Sequence, residues 1–278
     1  MPGTLFVVAT PIGNLEDITV RALRILREVS LIAAEDTRRT HHLLSRYAIT
    51  TPTTSLHEHN EGWKSSQLIE RLSGGEHVAL VSDAGTPTIA DPGQRLIRAA
   101  IDAGVRVEPI PGPSAAVSAI AASGMAAVSF TFLGFPPTRS RDRKIWLSEL
   151  AKAGRPVVFF EAPHRIRRTL SEILDVLGDR PTAVARELTK VHEEFIRGTL
   201  SEVLHRLPAP IGEFTVVVDI GHETETSAPV AGDIALEFGH MTAFDGVSKR
   251  LAIGRLAKEH GLSTNAVYEA IEKAKKSV

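Results

Sequence analysis

The sequence predicts an α/β protein: a first domain with a parallel sheet, a second with a mixed sheet, and a small C-terminal helical unit of helix-turn-helix type. Three observations predict it. Up to about residue 110, apolar β-rich runs alternate with segments of helical spacing, the pattern of a parallel sheet covered on both faces. From 115 to 222, strand-like runs follow one another through short connections, which suits antiparallel neighbours. Beyond 232 only helical spacing remains.

The first domain, 1–112, takes its strands from TLFVVA (4–9), VSLIAA (29–34), HVALVS (77–82) and VRVEPI (105–110). Between them Ile18, Ala22, Ile25 and Val29 recur at spacings of three and four, as do Leu68, Ile69 and Leu72, so each interval holds an amphipathic helix. The prolines and glycine of 109–113 set the boundary. The second domain, 113–222, has strands at 130–135, 156–161, 182–188, 194–199 and 213–220, with helices at 142–153 and 165–177. The polar stretch 221–233 reads as a linker. In the third unit, 232–278, one helix runs through Val247, Leu251, Ile253, Leu256 and Ala257, and a second through Val267, Ala270, Ile271 and Ala274. HGLS (260–263) turns between them, with Gly261 suited to a left-handed C-cap and Ser263 or Thr264 to an N-cap.

Composition narrows the chemistry. Absence of cysteine excludes disulfides, thiolate zinc sites, iron–sulfur clusters and a cysteine nucleophile. The eleven histidines form no ligand spacing, so no metal is expected. The longest apolar runs, 77–81 and 126–133, fall far short of a membrane span, and no basic segment precedes the first of the apolar stretches. A cytoplasmic protein without a membrane partner is the expectation. Net charge is −1, yet 138–168 holds nine basic residues against three acidic ones, and 248–278 holds seven against three. Local positive patches on a neutral chain suit a phosphate-rich ligand.

Each strand of the first domain ends in a small or polar turn: ATPIGN (9–14), AEDTRRT (34–40), SDAGTPTIADPG (82–93) and PGPSA (111–115). Ligands of open α/β sheets lie beyond the carboxyl ends of strands, so these turns are the first candidates. Asp83, Gly85 and Thr86 form a turn where a carboxylate meets closely approaching backbone. Asp91 reads as the cap of a helix beginning near Pro92. Ser114 opens a small-residue helix whose free N–H groups face a polar ligand edge. Pro11 stands where a dinucleotide fold needs glycine, which disfavours a pyrophosphate ligand.

Together with FLGFPP (132–137), FFEAPHR (159–165) and RELTKVHEE (186–194), these turns resemble the tetrapyrrole methylase superfamily of S-adenosylmethionine-dependent methyltransferases over essentially the whole chain. Pro-Ile-Gly-Asn in the first turn is similar to the branch directed at ribosomal RNA. The resemblance implies two α/β domains with S-adenosylmethionine in the cleft between them, a homodimer, and methylation of the ribose 2′-hydroxyl of a cytidine in the decoding centre of 16S rRNA, with the 30S subunit as partner. By position it implies a cofactor site of Pro11, Ile12, Asp83, Gly85, Thr86, Ile89, Ser114, Ala115 and Ala162 with backbone near Phe214. The family's basic residue after the Gly-Phe turn is often lysine. Here PPTRSRDRK leaves Arg139, Arg141, Arg143 and Lys144 as alternatives for RNA contact, with Arg165 beyond them.

A ribose hydroxyl is a weak nucleophile, so a general base or a cation beside the developing alkoxide is expected. Glu35, Asp36 and Glu187, near strand ends, are the candidate bases, and Arg38, Arg186 and Lys190 the candidate cations, to hold RNA phosphate or to stabilise that charge. Arg38 and Lys190 count among the RNA-binding residues. Two rival functions stand beside this one: a nucleic-acid-binding regulator that senses a small ligand, and a methyltransferase for a small tetrapyrrole precursor. The first needs one pocket rather than four charged turns. The second leaves the basic segments without a purpose.

Overall fold

Near-continuous Val, Ile, Leu and Ala runs make the first sheet: β1 (Thr4–Val8), β2 (Leu31–Ala34), β3 (Thr53–Ser55), β4 (Val78–Val81) and β5 (Arg106–Ile110). The computed structural model describes residues 2–208, 211–221, 231–243, 247–259 and 263–275. Strand order is β3-β2-β4-β1-β5 with every pairing parallel. Helices α1 (Val20–Glu28) and α2 (Thr37–Arg46) cover one face, meeting Ile32 and Ala34. Helices α3 (Glu61–Ser73) and α4 (Gln94–Asp102) cover the other, meeting Leu31 and Ala33. Alternate residues of one strand thus feed two cores, as the two-residue pleat requires. The short edge strand β3, Thr-Thr-Ser, carries no apolar run and so has no signal in the sequence.

Helix α5 (Ala115–Ala122) leads into the second sheet: β6 (Thr131–Phe132), β7 (Val157–Glu161), β8 (Pro181–Arg186), β9 (Glu194–Thr199) and β10 (Phe214–Val218). The order is β6-β7-β10-β8-β9; only β6 and β7 pair in parallel. Helices α6 (Ser140–Ala151), α7 (Ile166–Leu177) and α8 (Leu200–Arg206) pack on one face around Phe159, Leu170 and Val216. The Ala-rich α5 packs on the other against Val158 and Val217. The sheet is therefore mixed and mainly antiparallel, as its short connections imply.

Residues Met1–Ile220 form one unit and Gly221–Val278 another. The second unit contains α9 (Ala231–Ala243), α10 (Lys249–Glu259) and α11 (Thr264–Lys275). Among the described residues, three helices thus stand where the sequence suggests two. Ile234 of α9 is buried with Leu256 and Val267, so residues assigned to the end of a linker open a core helix. Leu251, expected in the apolar stripe, is 52% exposed, and Ala252 is buried in its stead. Ser263 rather than Thr264 caps α11, accepting from the Ala266 N–H at 3.1 Å. Residues 222–230 of the expected linker, Gly261 and Lys276 lie outside the described residues. Among the described residues no helix is long and apolar enough to cross a membrane.

Candidate functional site

Strand order brings the four candidate turns together, because β2, β4, β1 and β5 are consecutive neighbours and all point the same way. Thr10 and Gly85 exchange backbone hydrogen bonds of 2.9 and 3.0 Å, tying the β1 turn to the β4 turn. Thr86 donates to the Pro113 carbonyl, tying the β4 turn to the β5 turn. The Asp36 N–H donates to Asp83 Oδ1 at 2.9 Å and the Asp83 N–H to Glu35 Oε2 at 3.3 Å, tying in β2. Ser114 caps α5, accepting from the Val117 N–H.

The second sheet closes the site from the opposite side. Phe214, at the start of β10, pairs with both Glu161 and Arg186, so the ends of β7 and β8 meet there. The following loop holds Glu187 and Thr189 at φ +51° and +65°. The Asn14 N–H of the β1 turn donates to Thr189 Oγ1 at 3.0 Å. A Cβ at Gly13 would lie 2.8 Å from the Leu188 carbonyl, so the two walls touch only because this residue is glycine. Of the five non-glycine residues at positive φ among the described residues, Thr88, Ala90, Glu187 and Thr189 flank this cleft. Left-handed backbone is costly for such side chains and concentrates at functional sites.

A cavity of about 430 Å³ lies in the cleft, within the range of small-molecule sites. Its apolar wall comprises Ile12, Ile89, Phe135, Phe160, Leu188 and Phe214, and its polar wall includes Glu35, Asp83, Asp91 and Glu213 with Arg39. Such a lining suits a ligand with a flat ring and positive charge. Gly85, at φ +77°, brings bare backbone alongside Ile12, a close approach that a side chain there would strain.

The three candidate bases have different environments. Glu35 is pushed above the ordinary carboxylate range by burial, with Asp83 and Asp36 repelling its charge and the Asp83 N–H and Arg39 opposing the rise. Asp36 caps α2 and forms a bidentate pair with Arg38, whose hydrogen bonds hold its carboxyl down at about 2. Glu187 is lowered by Lys190, and its Oε1 also accepts from the Glu213 N–H at 2.9 Å. Burial opposes the charge on Lys190, but Glu187 and Glu213 hold its ammonium above the usual range.

Of the residues expected at a cofactor, Ile12, Asp83, Gly85, Thr86, Ile89, Ser114, Ala115, Ala162 and Phe214 line this cavity together, and Pro11 lines its neighbour. Among the basic residues, Arg139, Arg141 and Lys144 are exposed around the start of α6, and Arg38 is exposed beside Asp36. Arg143 is a correction. It is 5% exposed and binds Glu172, Thr169 and the Pro137 carbonyl, because its place in α6 turns it beneath α7 rather than onto a loop. Arg165 is likewise turned inward, pairing with the buried Glu161 and with the Pro136 carbonyl. Lys190 faces the cleft in its ion pairs, while Arg186 donates to the Ile211 carbonyl and lies near Glu194.

Asp91 is a second correction. Helix α4 begins at Gln94, and the N–H groups of its N-cap Gly93 and of Arg95 in its first turn donate to Glu61 from α3. Asp91 turns into the cavity, where burial, aided by Glu35 and Asp83 and opposed by Ser82, pushes it up to about 6. Phe160, Leu188, Arg39 and Glu213 are also additions. Period-two alternation in FFE gives Phe160 a signal, since Phe159 faces the core. Arg39 and Glu213 have none beyond their neighbours. Among the described residues no group of three or more His, Asp or Glu side chains is placed to hold a metal ion.

The profile of the Tetrapyrrole (Corrin/Porphyrin) Methylases family matches residues 4–204. "Ribosomal RNA small subunit methyltransferase I" of Halalkalibacterium halodurans is 43% identical over 270 residues, 96% of this chain and 93% of that one. The protein of the same name from Thermotoga maritima is 49% identical over 218 residues, 78% of this chain and 98% of that one. In fold, the chain resembles a crystal structure of diphthine synthase at TM-score 0.62 and 17% identity, over 78% of this chain and 90% of that one. A uroporphyrin-III-C-methyltransferase from Thermus thermophilus gives 0.53 and 19%, over 78% and 95%.

Proposed function

The chain belongs to the tetrapyrrole (corrin/porphyrin) methylase family, and from that premise we propose that it is an S-adenosylmethionine-dependent methyltransferase of small-subunit ribosomal RNA. The near full-length likeness to relatives of that name carries the reading. S-adenosylmethionine fits the 430 Å³ cavity: its cationic groups match Asp83, Asp91 and Glu35, and its adenine the wall of Ile12, Phe160 and Phe214, with Gly85, Ser114, Ala115 and Ala162 offering close backbone.

Bound there, it would supply an electrophilic methyl group to a ribose hydroxyl, with S-adenosylhomocysteine as the leaving group. The chain's own residues orient that hydroxyl and take its proton. Glu35 is the base of choice, since Asp36 and Glu187 already spend their carboxylates on Arg38 and Lys190 and are correspondingly weak proton acceptors. Arg39 and Lys190 are the cations positioned on the cleft walls to steady developing negative charge.

The acceptor is the 2′-hydroxyl of a cytidine in the 16S decoding centre, met in the 30S subunit in the cytoplasm by a homodimer. Arg139, Arg141 and Lys144, exposed at α6, and Lys249, Arg250 and Arg255 of the helical unit supply phosphate contacts. The test is transfer of labelled methyl from S-adenosylmethionine to 30S subunits lacking the modification, with the product nucleoside identified. No incorporation, or incorporation into the base, sinks the proposal. Reversing Arg139 and Arg141 together should weaken RNA binding and flatten its dependence on log salt by about 0.7–0.9 for each phosphate no longer neutralised, without changing cofactor affinity.

A further inference from the structure

The second-sheet side of the 430 Å³ cavity is bounded in part by a loop, Leu133-Gly134-Phe135-Pro136-Pro137, that runs from β6 toward α6. Phe135 is 53% exposed, yet it lines the cavity, its ring 5.4 Å from that of Phe160 and tilted at 59°. The two prolines have no N–H to donate, and each restricts the residue before it to extended backbone. The Pro-Pro half of the loop is therefore stiff, and only its carbonyls can tie it to the protein by hydrogen bonds. The two carbonyls on each side of Phe135 are all taken. The Trp146 indole donates to Leu133 at 3.2 Å and the Phe160 N–H to Gly134 at 2.9 Å. Arg165 donates to Pro136, and Arg143 to Pro137 at 3.3 Å.

Both arginines are anchored on one chain of buried side chains at the start of α7. Arg165 pairs with Glu161 at 3.1 Å, and Thr169 donates to the other oxygen of that carboxylate. Arg143 donates to Thr169 at 2.7 Å and also to Glu172. Apolar residues of similar volume would hold a helix on a sheet as well as buried ion pairs do. What a guanidinium adds is a rigid fork that grips a side chain and a loop carbonyl together. Resting on the function proposed above, we propose that Arg143 and Arg165 are positioning residues for S-adenosylmethionine. By gripping the consecutive carbonyls of Pro137 and Pro136 they hold Phe135 over the cavity, as a ring against which the flat part of the cofactor packs. Neither arginine is in the cavity lining; both act through the loop.

The experiment uses the full chain and reads calorimetric affinity for S-adenosylmethionine. Phe135→Ala removes an exposed ring and should weaken binding about tenfold without lowering the melting temperature. Arg165→Lys and Arg143→Lys keep a cation beside Glu161 and Glu172 but lose the fork, and each should weaken binding by a similar factor. Pro137→Gly leaves every buried charge paired and loosens the same loop. It should weaken binding too, and it decides the matter should a lysine variant not fold. Combined with Phe135→Ala, none of these losses should multiply, because each acts through the ring. Without cofactor, Arg165→Lys should speed hydrogen exchange at the Phe160 amide, whose acceptor is in the loop. Unchanged affinity in Phe135→Ala or Pro137→Gly, or losses that multiply in the double variants, overturns the positioning role, and a wild type that still methylates RNA leaves the function standing. A wild type without affinity for S-adenosylmethionine brings down the proposed function and this inference with it.

Discussion

The two walls of the cleft are built from the same residue types and behave oppositely. On the first-sheet wall, Glu35 takes a backbone N–H, Asp91 has a nearby hydroxyl, and both are pushed up by burial and by Asp83. On the second-sheet wall, Glu187 and Glu213 grip Lys190, and Glu187 is pushed down. A carboxylate hydrogen-bonded to a cation is satisfied within the fold and fixes geometry. One kept among other carboxylates holds negative charge for a ligand. Strand ends supply acids to both walls; the presence or absence of a facing cation decides their use.

The largest expected effect separates the two glutamates directly. Glu35→Gln should lower the single-turnover rate of methyl transfer at saturating S-adenosylmethionine by about 10²–10⁴-fold, the range for losing a general base. Glu187→Gln should reduce it by about tenfold or less, since it only loosens Lys190. Equal losses would erase the distinction between the walls.

Joining the walls is the task of Gly13, and Gly13→Ala should push them apart, because the added methyl meets backbone at Leu188. Misplacement of this kind costs up to about a hundredfold in rate. A fall in kcat together with a lower melting temperature is the expected reading. Asp83→Ala, on the first wall, should weaken S-adenosylmethionine by roughly ten- to a hundredfold, the value of a charge-assisted hydrogen bond. Calorimetry measures it, and unchanged affinity removes Asp83 from the site.

The smallest effect is on stability, and its sign is diagnostic. Asp91 titrates in the fold at about 6, above its ordinary value of 3.8, so the fold prefers it neutral. Its contribution is therefore most favourable below pH 4 and is lost as pH rises through 6. Asp91→Asn should raise the melting temperature at pH 8, leave it unchanged at pH 4, and weaken the cationic cofactor at pH 8. Asp36, held at about 2 by Arg38, runs the other way: its contribution is present above pH 4 and lost as pH falls toward 2. Asp36→Asn should lower the melting temperature at pH 7 and not at pH 2. A melting series across pH on both variants checks the pair.

Local pattern alone determined the parallel sheet with its four strand-end turns, the mainly antiparallel second sheet, and the helices over 142–153 and 165–177, observed as Ser140–Ala151 and Ile166–Leu177. These follow from apolar periodicity and from proline and glycine, which act within a few residues. Four turns that share one edge also follow, because parallel strands end on the same side. Partners at long sequence separation were decided by the tertiary structure. Arg143 and Arg165 read as surface cations until α7 and Glu161 enclose them, and Asp91 reads as a cap until Glu61, thirty residues earlier, takes over the α4 N-terminus. Asp36 and Glu35 are adjacent in sequence and opposite in titration because burial raises Glu35 while hydrogen bonds from Arg38 lower Asp36. A charged side chain's role depends on what faces it across space, and that information lies in the packing of elements rather than in their local sequence.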